Sequence, residues 1–289
     1  MDIGVGLPST ISGVKGPVIT EWARRGEAAG FSSLATIDRI VYGNHDSIPT
    51  LAAAAAVTDR IRLTTSILIA PYRGNGALLA KQLATVDSLS AGRLTVGIAV
   101  GGREDDYTST AGDFGTRGAA MDRLLAEMRA IWSGESRGTA GPIGPAPVQP
   151  GGPPLLIGGS SAAAMRRTVE YGAGWIAGGG GPDLFAAGAQ QVREAWTQGG
   201  RAGVPRLAAL SYYALGDDGK RAANDYLSNY YAFLGDYAGM IAAGALTDRD
   251  AILASIEGFE AAGCDELILF PCSPALEQVE LLTNAIAWR

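Results

Sequence analysis

The sequence predicts a single (β/α)8 TIM barrel over residues 1–289, and three observations lead to this fold class. Short apolar segments typical of buried strands alternate with helical segments eight times along the chain. A complete β-α-β unit occupies residues 61–106, where an apolar strand stopped by Pro71 is followed by a helix and a second strand. The 289 residues, 47% of them hydrophobic, fit one α/β barrel or two ordinary domains, and the unbroken alternation favours the barrel.

The elements follow one another in a regular order from the first residues onward. The predicted strands are residues 3–7, 31–37, 61–70, 93–102, 155–157, 174–177, 207–215 and 265–270. The predicted helices are residues 18–29, 49–58, 77–90, 121–132, 162–171, 183–198, 248–262 and 275–288, with a helical insertion at 220–243 after strand seven. The Gly- and Pro-rich residues 134–154 indicate a long loop and not a domain boundary, because the same alternation resumes directly after them.

The fourth predicted strand has an unusual alternation of small and bulky side chains. Gly97, Ala99 and Gly101 share one face, whereas valine and isoleucine occupy the other. Glycine is unfavourable inside a strand unless something must approach the backbone closely. We therefore expect the small face to border a ligand or the crowded inside of the barrel.

Charge and composition restrict the partners. A net charge of -6 and a pI near 4.9 argue against nucleic acid or an anionic membrane, so a small-molecule substrate is expected. No apolar run approaches ~18 residues and the first residues lack the pattern of a signal peptide, which indicates a cytoplasmic protein.

Cys264 and Cys272 flank one predicted strand at a separation of ~26 Å, so both should be free thiols. His45 is the only histidine, so neither a metal site nor a histidine triad is expected.

In barrels of this kind the chemistry lies at the carboxyl ends of the strands. The loop after strand two carries Asp38, Arg39 and His45 among other polar residues. Asp38 or Arg39 could contact a cofactor ring, and His45 could exchange a proton because its side chain titrates near neutrality. The alternative for His45 is an ordinary surface position.

After strand four, Gly101, Gly102 and Arg103 could bind an anion through backbone donors and a guanidinium. The alternative is a glycine turn followed by a solvated arginine. The acidic run 104–106 could act as a glycosidase acid with a partner at 217–218, but ordinary surface charge explains such carboxylates equally well.

The turn after strand five consists of Gly158, Gly159, Ser160 and Ser161 and leads into a helix. Glycines permit close approach, a serine caps the helix, and free N–H groups at a helix start favour a phosphate. The turn therefore suits the phosphate end of a cofactor, with a plain serine N-cap as the alternative.

Several motifs together give the chain a family resemblance. They are IGVGLP, the aspartate ending strand two, DRIRLTTSILIAP, ALLAKQLATVDSLSAGRLTVGIAVGGREDDY, PPLLIGGSS and GCDELIL. With these motifs the chain resembles the luciferase-like flavin-dependent oxidoreductases, including their deazaflavin-dependent branch. The resemblance covers nearly the whole chain and is most specific over residues 60–107.

The resemblance implies a barrel that binds FMN or the deazaflavin coenzyme F-420. The ring would lie over strands three and four, with the phosphate near strand five, and a non-proline cis peptide would join Ser66 to Ile67. The implied ring contacts are Ser66, Ile67, Ala99, Val100, Gly101 and Gly102. The chain departs from the family at Arg39 and Gly102, where several members carry a histidine and a glutamate.

The leading expectation is hydride transfer between a deazaflavin (F-420) cofactor and a small organic substrate, with Arg39 or His45 steering or protonating the substrate. F-420 is favoured over FMN because its acidic tail needs cations, and Arg103, Arg166 and Arg167 all fall near the expected phosphate pocket. The alternatives are an FMN-dependent monooxygenase and a non-catalytic flavin-binding protein. The relatives also imply a homodimer, formed by apolar helix faces such as the one carrying Leu79 and Leu83. The alternative is that these faces are fully used inside the monomer.

Overall fold

The chain folds as a closed eight-stranded parallel barrel in a computed structural model that describes residues 1–287. The strands are β1 (Asp2–Gly6), β2 (Ser33–Thr36), β3 (Arg62–Ile69), β4 (Leu94–Ala99), β5 (Leu155–Gly158), β6 (Gly174–Ile176), β7 (Arg206–Tyr213) and β8 (Glu266–Pro271). Each pairs in parallel with the next, and β8 pairs with β1 to close the barrel. The predicted fold class is confirmed.

The α-helices of the described residues alternate with these strands. They are α1 (Gly16–Ala28), α2 (Ser47–Ala55), α3 (Gly76–Leu89), α4 (Glu104–Ser109), α5 (Arg117–Trp132), α6 (Ala162–Tyr171), α7 (Pro182–Gln198), α8 (Gly219–Tyr230), α9 (Tyr237–Ala243), α10 (Arg249–Ala261) and α11 (Glu277–Ile286). The short helix α4 is missing from the sequence prediction. The insertion after β7 is divided into α8, a 3-10 turn and α9, and Trp288 of the last predicted helix lies outside the described residues.

Glycines inside the barrel make room for neighbouring groups. A Cβ on Gly6 would lie 2.1 Å from the Phe270 ring, and one on Gly97 would lie 2.2 Å from the carbonyl oxygen of Thr65. The register of the β3 and β4 pair shifts just beyond Thr65, where the two backbones approach closely. The small face of β4 therefore borders the crowded inside of the barrel at Gly97.

The face of α3 that was expected to form the dimer is buried between the barrel and the surrounding helices of the single chain. Leu79 and Leu83 are each 1% exposed within the core of the single chain, so they are not available to a partner and that assignment is wrong. Cys264 and Cys272 are both free and buried, as expected, and burial raises the pKa of the Cys264 thiol to about 12. Among residues 1–287 no helix is long and apolar enough to cross a membrane.

The amino end of the barrel contains a buried carboxylate with several partners. Glu266 is 2% exposed and accepts hydrogen bonds from the Ser32 hydroxyl at 2.5 Å and from the guanidiniums of Arg206 at 2.7 Å and Arg62 at 3.4 Å. Burial alone would raise the pKa of Glu266, but these donors hold it below the usual value. The network ties β3, β7 and β8 together at the end of the barrel opposite the candidate site.

Candidate functional site

A cavity of about 220 Å³ opens at the carboxyl ends of the strands. Its walls come from the ends of β2, β3, β4 and β7, from the loops that follow them, and from the insertion. Six aromatic side chains contribute to the lining, namely Tyr72, Tyr107, Tyr212, Tyr230, Tyr231 and Phe233. Such a mostly apolar cavity with few polar groups is the usual form of a site for a small molecule or a cofactor.

The bulge of β3 forms one wall of this cavity. The peptide bond between Ser66 and Ile67 is cis, as the family resemblance implies, and both residues line the cavity. Ser66 is fully buried, and its hydroxyl has no hydrogen-bond partner among the described residues. A buried hydroxyl without a hydrogen-bond partner destabilises the folded protein by about 1–3 kcal/mol unless a ligand or a water molecule forms a hydrogen bond with it. This hydroxyl is therefore a position where a bound polar group would be stabilised.

The residues that end β4 divide into two groups. Gly101 and Gly102 line the cavity; Gly101 has a φ of +68°, and a Cβ on Gly102 would meet no atom within 4 Å. Ala99 lies behind the wall, close to Gly158. The Val100 side chain packs against the core between barrel and helices, and its carbonyl accepts the Tyr107 hydroxyl at 2.5 Å.

Asp38 lies at the cavity as the centre of a hydrogen-bond network. Its Oδ1 accepts from Arg73 at 2.7 Å and from the Ser47 hydroxyl at 3.3 Å, and its Oδ2 accepts from the Tyr72 hydroxyl at 2.6 Å and from the Ile69 amide at 3.0 Å. Burial raises the pKa of the Asp38 carboxyl, and the opposing effect comes first from Arg73. All four partners are donors, so the network fits the ionised carboxylate. Asp38 thus fixes the walls of the cavity.

Arg39 is buried beside the insertion. Its Nη1 donates to the carbonyl of Tyr230 at 2.9 Å, and the guanidinium carbon lies 4.4 Å from the centre of the Tyr42 ring and 5.1 Å from that of Tyr230. Burial, and then the nearby charge of Arg103, lowers the pKa of Arg39. Within residues 1–287 it forms no ion pair, and its Nε has no hydrogen-bond partner. Stacking on two aromatic rings therefore holds this cation in place.

The structure does not bring His45 to this cavity. Its Nε2 lies 2.8 Å from the carbonyl oxygen of Val14, and the ring borders a separate depression beside α1 and α2. The backbone amide of His45 is bonded to the carbonyl of Ser9, which turns the loop toward α1. The proton-exchange role considered for His45 therefore receives no support from its position.

The turn after β5 has the shape expected of a helix start. Gly158 is buried, and a Cβ added to it would lie 2.9 Å from the Ile67 side chain. Gly159 has a φ of +106°, a conformation that favours glycine. Ser160 and Ser161 are exposed, and the Ser161 hydroxyl accepts the Ala164 amide at 3.2 Å as the N-cap of α6. The turn adjoins the Ile67 wall from outside, so a ligand could extend from the cavity toward it.

Two of the three arginines expected near the phosphate are engaged elsewhere. Asp122 on α5 accepts from Arg166 at 2.8 Å and from Arg167 at 2.6 Å, and Arg167 also donates to the carbonyl of Gly118. These arginines attach α6 to α5. Arg103, in contrast, lines the cavity with its guanidinium carbon 3.9 Å from the centre of the Phe233 ring.

The insertion supplies Tyr231, which the sequence analysis did not assign to the site, and the acidic run supplies Asp106, which it considered only as a glycosidase acid or as surface charge. The hydroxyls of Tyr212 and Tyr231 lie 2.7 Å apart, and Asp106 accepts the amides of Ile40 and Val41 at 3.1 Å and 2.6 Å. Asp106 therefore holds the loop after β2 and is not surface charge. The available signal for Asp106 was an aspartate shortly after a strand-end glycine pair, whereas nothing local marked Tyr231.

The fold and the cavity define a TIM-barrel protein with a candidate ligand site at the carboxyl ends of its strands, and the sequence comparison gives its family. Residues 1–262 match the family described as luciferase-like monooxygenase, and the chain belongs to that family. An uncharacterised protein from Mycobacterium tuberculosis is 32% identical over 168 residues, which cover 55% of this chain and 59% of that relative. The F420-dependent glucose-6-phosphate dehydrogenase of Nocardia farcinica is 30% identical over 150 residues, covering 48% of this chain and 45% of that enzyme. The chain thus matches less than two thirds of the length of either relative.

Solved structures share the architecture along the whole chain. An F420-dependent secondary alcohol dehydrogenase in complex with an F420-acetone adduct superimposes with a TM-score of 0.78 at 18% identity, covering 99% of this chain and 98% of that one. The monooxygenase RslO1 from Streptomyces bottropensis gives a TM-score of 0.77 at 21% identity, with 99% of each chain covered. At these identities the likeness shows the fold alone.

Proposed function

We propose that this protein is an oxidoreductase that transfers a hydride between the deazaflavin coenzyme F-420 and a small organic substrate. One of its sequence relatives is an F420-dependent dehydrogenase, and solved structures of the same fold include an F420-dependent alcohol dehydrogenase and an FMN-bound monooxygenase. The observation that carries the proposal is the cavity beside the β3 bulge, where small residues leave space and the buried Ser66 hydroxyl has no partner among residues 1–287.

The residues around this cavity fit a flat heterocycle. Ser66 and Ile67 would contact the ring, with Gly101 and Gly102 leaving space beside it and Ala99 and Val100 supporting that wall from behind. A polar edge of the ring would satisfy the Ser66 hydroxyl, which otherwise remains unpaired in the interior. The ring chemistry needs such a mainly apolar cavity with a few fixed donors.

The phosphate of the cofactor is proposed to lie at Gly158, Gly159, Ser160 and Ser161. These residues start α6, whose first backbone N–H groups and dipole favour an anion. Gly159 and Ser160 are exposed beside the Ile67 wall, so a chain leaving the ring would reach them without displacing the core.

When bound, the deazaflavin supplies or accepts the hydride. The protein's part is to orient the reactants and exclude water. Asp38 is proposed as a positioning residue, because it fixes Tyr72 and Ile69 in the wall. Arg39 does not line the cavity, and it is proposed to steer the substrate indirectly, by holding Tyr230 of the cavity wall through its hydrogen bond to the Tyr230 carbonyl and its contact with that ring. The Tyr212 and Tyr231 pair keeps one hydroxyl proton uncommitted beside the same space.

An FMN-dependent monooxygenase is the second candidate, and one observation favours it. Arg166 and Arg167 bind Asp122, so they are not free to accompany the acidic tail of F-420. FMN ends in a single phosphate and needs no such cations. A non-catalytic flavin-binding protein differs from both candidates in one measurable respect, the absence of turnover by the cofactor-loaded protein.

We also propose that the protein works as a homodimer in the cytoplasm. With Leu79 and Leu83 buried, the exposed leucines of α3, Leu78 at 54% and Leu89 at 61%, are the apolar groups on that helix left for a partner. The free cysteines fit a reducing compartment. Sedimentation at micromolar concentration should show a dimer, and a clean monomer would refute it.

Equilibrium titration of the apoprotein with F-420 and with FMN tests the proposed function. We expect F-420 to bind more tightly, and Ser66→Ala to weaken it by about 3- to 10-fold because one hydrogen bond is lost. Ser9→Ala is the matched control, since Ser9 is also fully buried with an unpaired hydroxyl but does not line the cavity. Tighter binding of FMN would favour the second candidate, and binding of neither cofactor would refute both.

A further inference from the structure

The acidic and the basic side chains that line the cavity differ in how many of their hydrogen-bonding atoms have a partner. Both carboxylates already have donors, since Asp38 accepts four hydrogen bonds and Asp106 accepts two backbone amides. The basic side chain of Arg103, in contrast, has two buried nitrogens, Nε and Nη1, that have no hydrogen-bond partner among the described residues. Two buried donor nitrogens in the cavity wall are therefore unsatisfied, and an acceptor group on a ligand would satisfy them.

Contacts of other atoms fix the position of the Arg103 guanidinium, although Nε and Nη1 have no hydrogen-bond partner among residues 1–287. Its Nη2 donates to Asp105, its flat face stacks on Phe233, and its side chain is 13% exposed. Asp106 lies 3.8 Å from Nε, beyond hydrogen-bond distance. A preformed guanidinium loses little conformational freedom when it binds an anion, and it pairs with carboxylate or phosphate oxygens more strongly than with neutral acceptors.

We propose that Arg103 binds an anionic oxygen group, a carboxylate or a phosphate, of the ligand in this cavity, so that the substrates are organic acids or phosphate esters with an aromatic or otherwise flat body. This inference rests on the proposed function for its reaction. The flat body follows from the aromatic side chains of Tyr107, Tyr212, Tyr231 and Phe233, which line the same cavity as Arg103. The acidic tail of the deazaflavin is the other source of the same chemistry, and the experiment separates the two.

The test uses wild-type protein and Arg103→Gln, which removes the charge and leaves a shorter, polar side chain. Arg117→Gln is the matched control, because Arg117 stacks on Phe114 at 3.7 Å in the same way but does not line the cavity. Each protein is first titrated with F-420 and with FMN, and then, loaded with the cofactor that it binds, with benzoate, phenylacetate and phenyl phosphate. Benzamide and benzyl alcohol serve as neutral probes of the same shape.

We expect the wild-type protein to bind at least one anionic probe more tightly than its neutral counterpart. Arg103→Gln should weaken that binding by about 10-fold or more, and Arg117→Gln should behave as wild type. If Arg103→Gln weakens F-420 but neither FMN nor the probes, the anionic group belongs to the cofactor tail.

The inference is overturned if Arg103→Gln changes no affinity, or if anionic and neutral probes bind the wild-type protein equally well or not at all. Should neither cofactor bind, the proposed function fails, but the probes are then titrated into the apoprotein by its tyrosine fluorescence. A charge-dependent result there would still support the anion site independently of the hydride-transfer proposal.

Discussion

Replacing Asp38 by asparagine should cost the fold about 3–5 kcal/mol, although the two side chains have nearly the same shape. Each carboxylate oxygen of Asp38 accepts two donors, Arg73 and Ser47 on one side and Tyr72 and the Ile69 amide on the other. An asparagine NH2 group placed on either side would therefore face two donors. The substitution also removes the closer of the two carboxylates that neutralise Arg73.

Asp46→Asn is the control, because it changes the same ion-pair network at its exposed end. Asp46 lies 3.1 Å from Arg73, its side chain is 40% exposed, and it caps α2 through the Ile48 amide, a role that asparagine can also fill. Its loss of charge should cost no more than about 1 kcal/mol, since water screens exposed pairs.

The assay is urea unfolding of Asp38→Asn, Asp46→Asn and wild type at pH 7, with the free energy of unfolding taken by linear extrapolation. Asp38→Asn should also weaken cofactor binding, because Tyr72 and Ile69 line the cavity. If the two variants differed by less than about 0.5 kcal/mol, Asp38 would not be the centre of a buried network.

Three further predictions concern other parts of the barrel. Because donors lower the Glu266 pKa below 4.5, its stabilisation should be complete above that pH and lost as the pH falls through the lowered value. Glu266→Gln should therefore cost about 3 kcal/mol by urea unfolding at pH 7 and progressively less as the pH falls below 4.5. Gly97→Ala should cost about 2–3 kcal/mol against a backbone carbonyl 2.2 Å away, whereas Gly102→Ala, with open space, should cost less than about 1 kcal/mol in the same assay. Ser160→Glu should weaken FMN and F-420 binding by about 10-fold, because the new charge repels the phosphate, whereas Ser88→Glu at another exposed position should not. Fluorescence titration measures both affinities, and equal affinities of Ser160→Glu and wild type would show that the phosphate does not lie at this turn.

The barrel could be predicted because its signals are local. Each strand is a short apolar run, and the glycines of β4 indicated a crowded neighbour that the structure identifies as the Thr65 carbonyl. The cis peptide at Ser66 came from the family motif, and no pattern of hydrophobicity would have indicated it. Helix α4 was missed because six residues are too few to show helical periodicity.

The arrangement of the site was harder to predict because it depends on contacts between distant parts of the chain. The Tyr230 carbonyl that holds Arg39 lies 191 residues away from it, in an insertion that reads as a polar surface helix. Arg166 is paired with Asp122, 44 residues earlier, and so turns away from the phosphate turn. His45 follows strand two in sequence, but a backbone bond to Ser9 directs its loop elsewhere. Such pairings leave no trace in local composition.

The most direct test of the cofactor site is a crystal structure of the protein grown with saturating F-420. The proposed function predicts ring density against Ser66 and Ile67, with the phosphate at the Gly158 to Ser161 turn. Density for the ring at any other place, or an empty cavity at a concentration that saturates binding in solution, would contradict it.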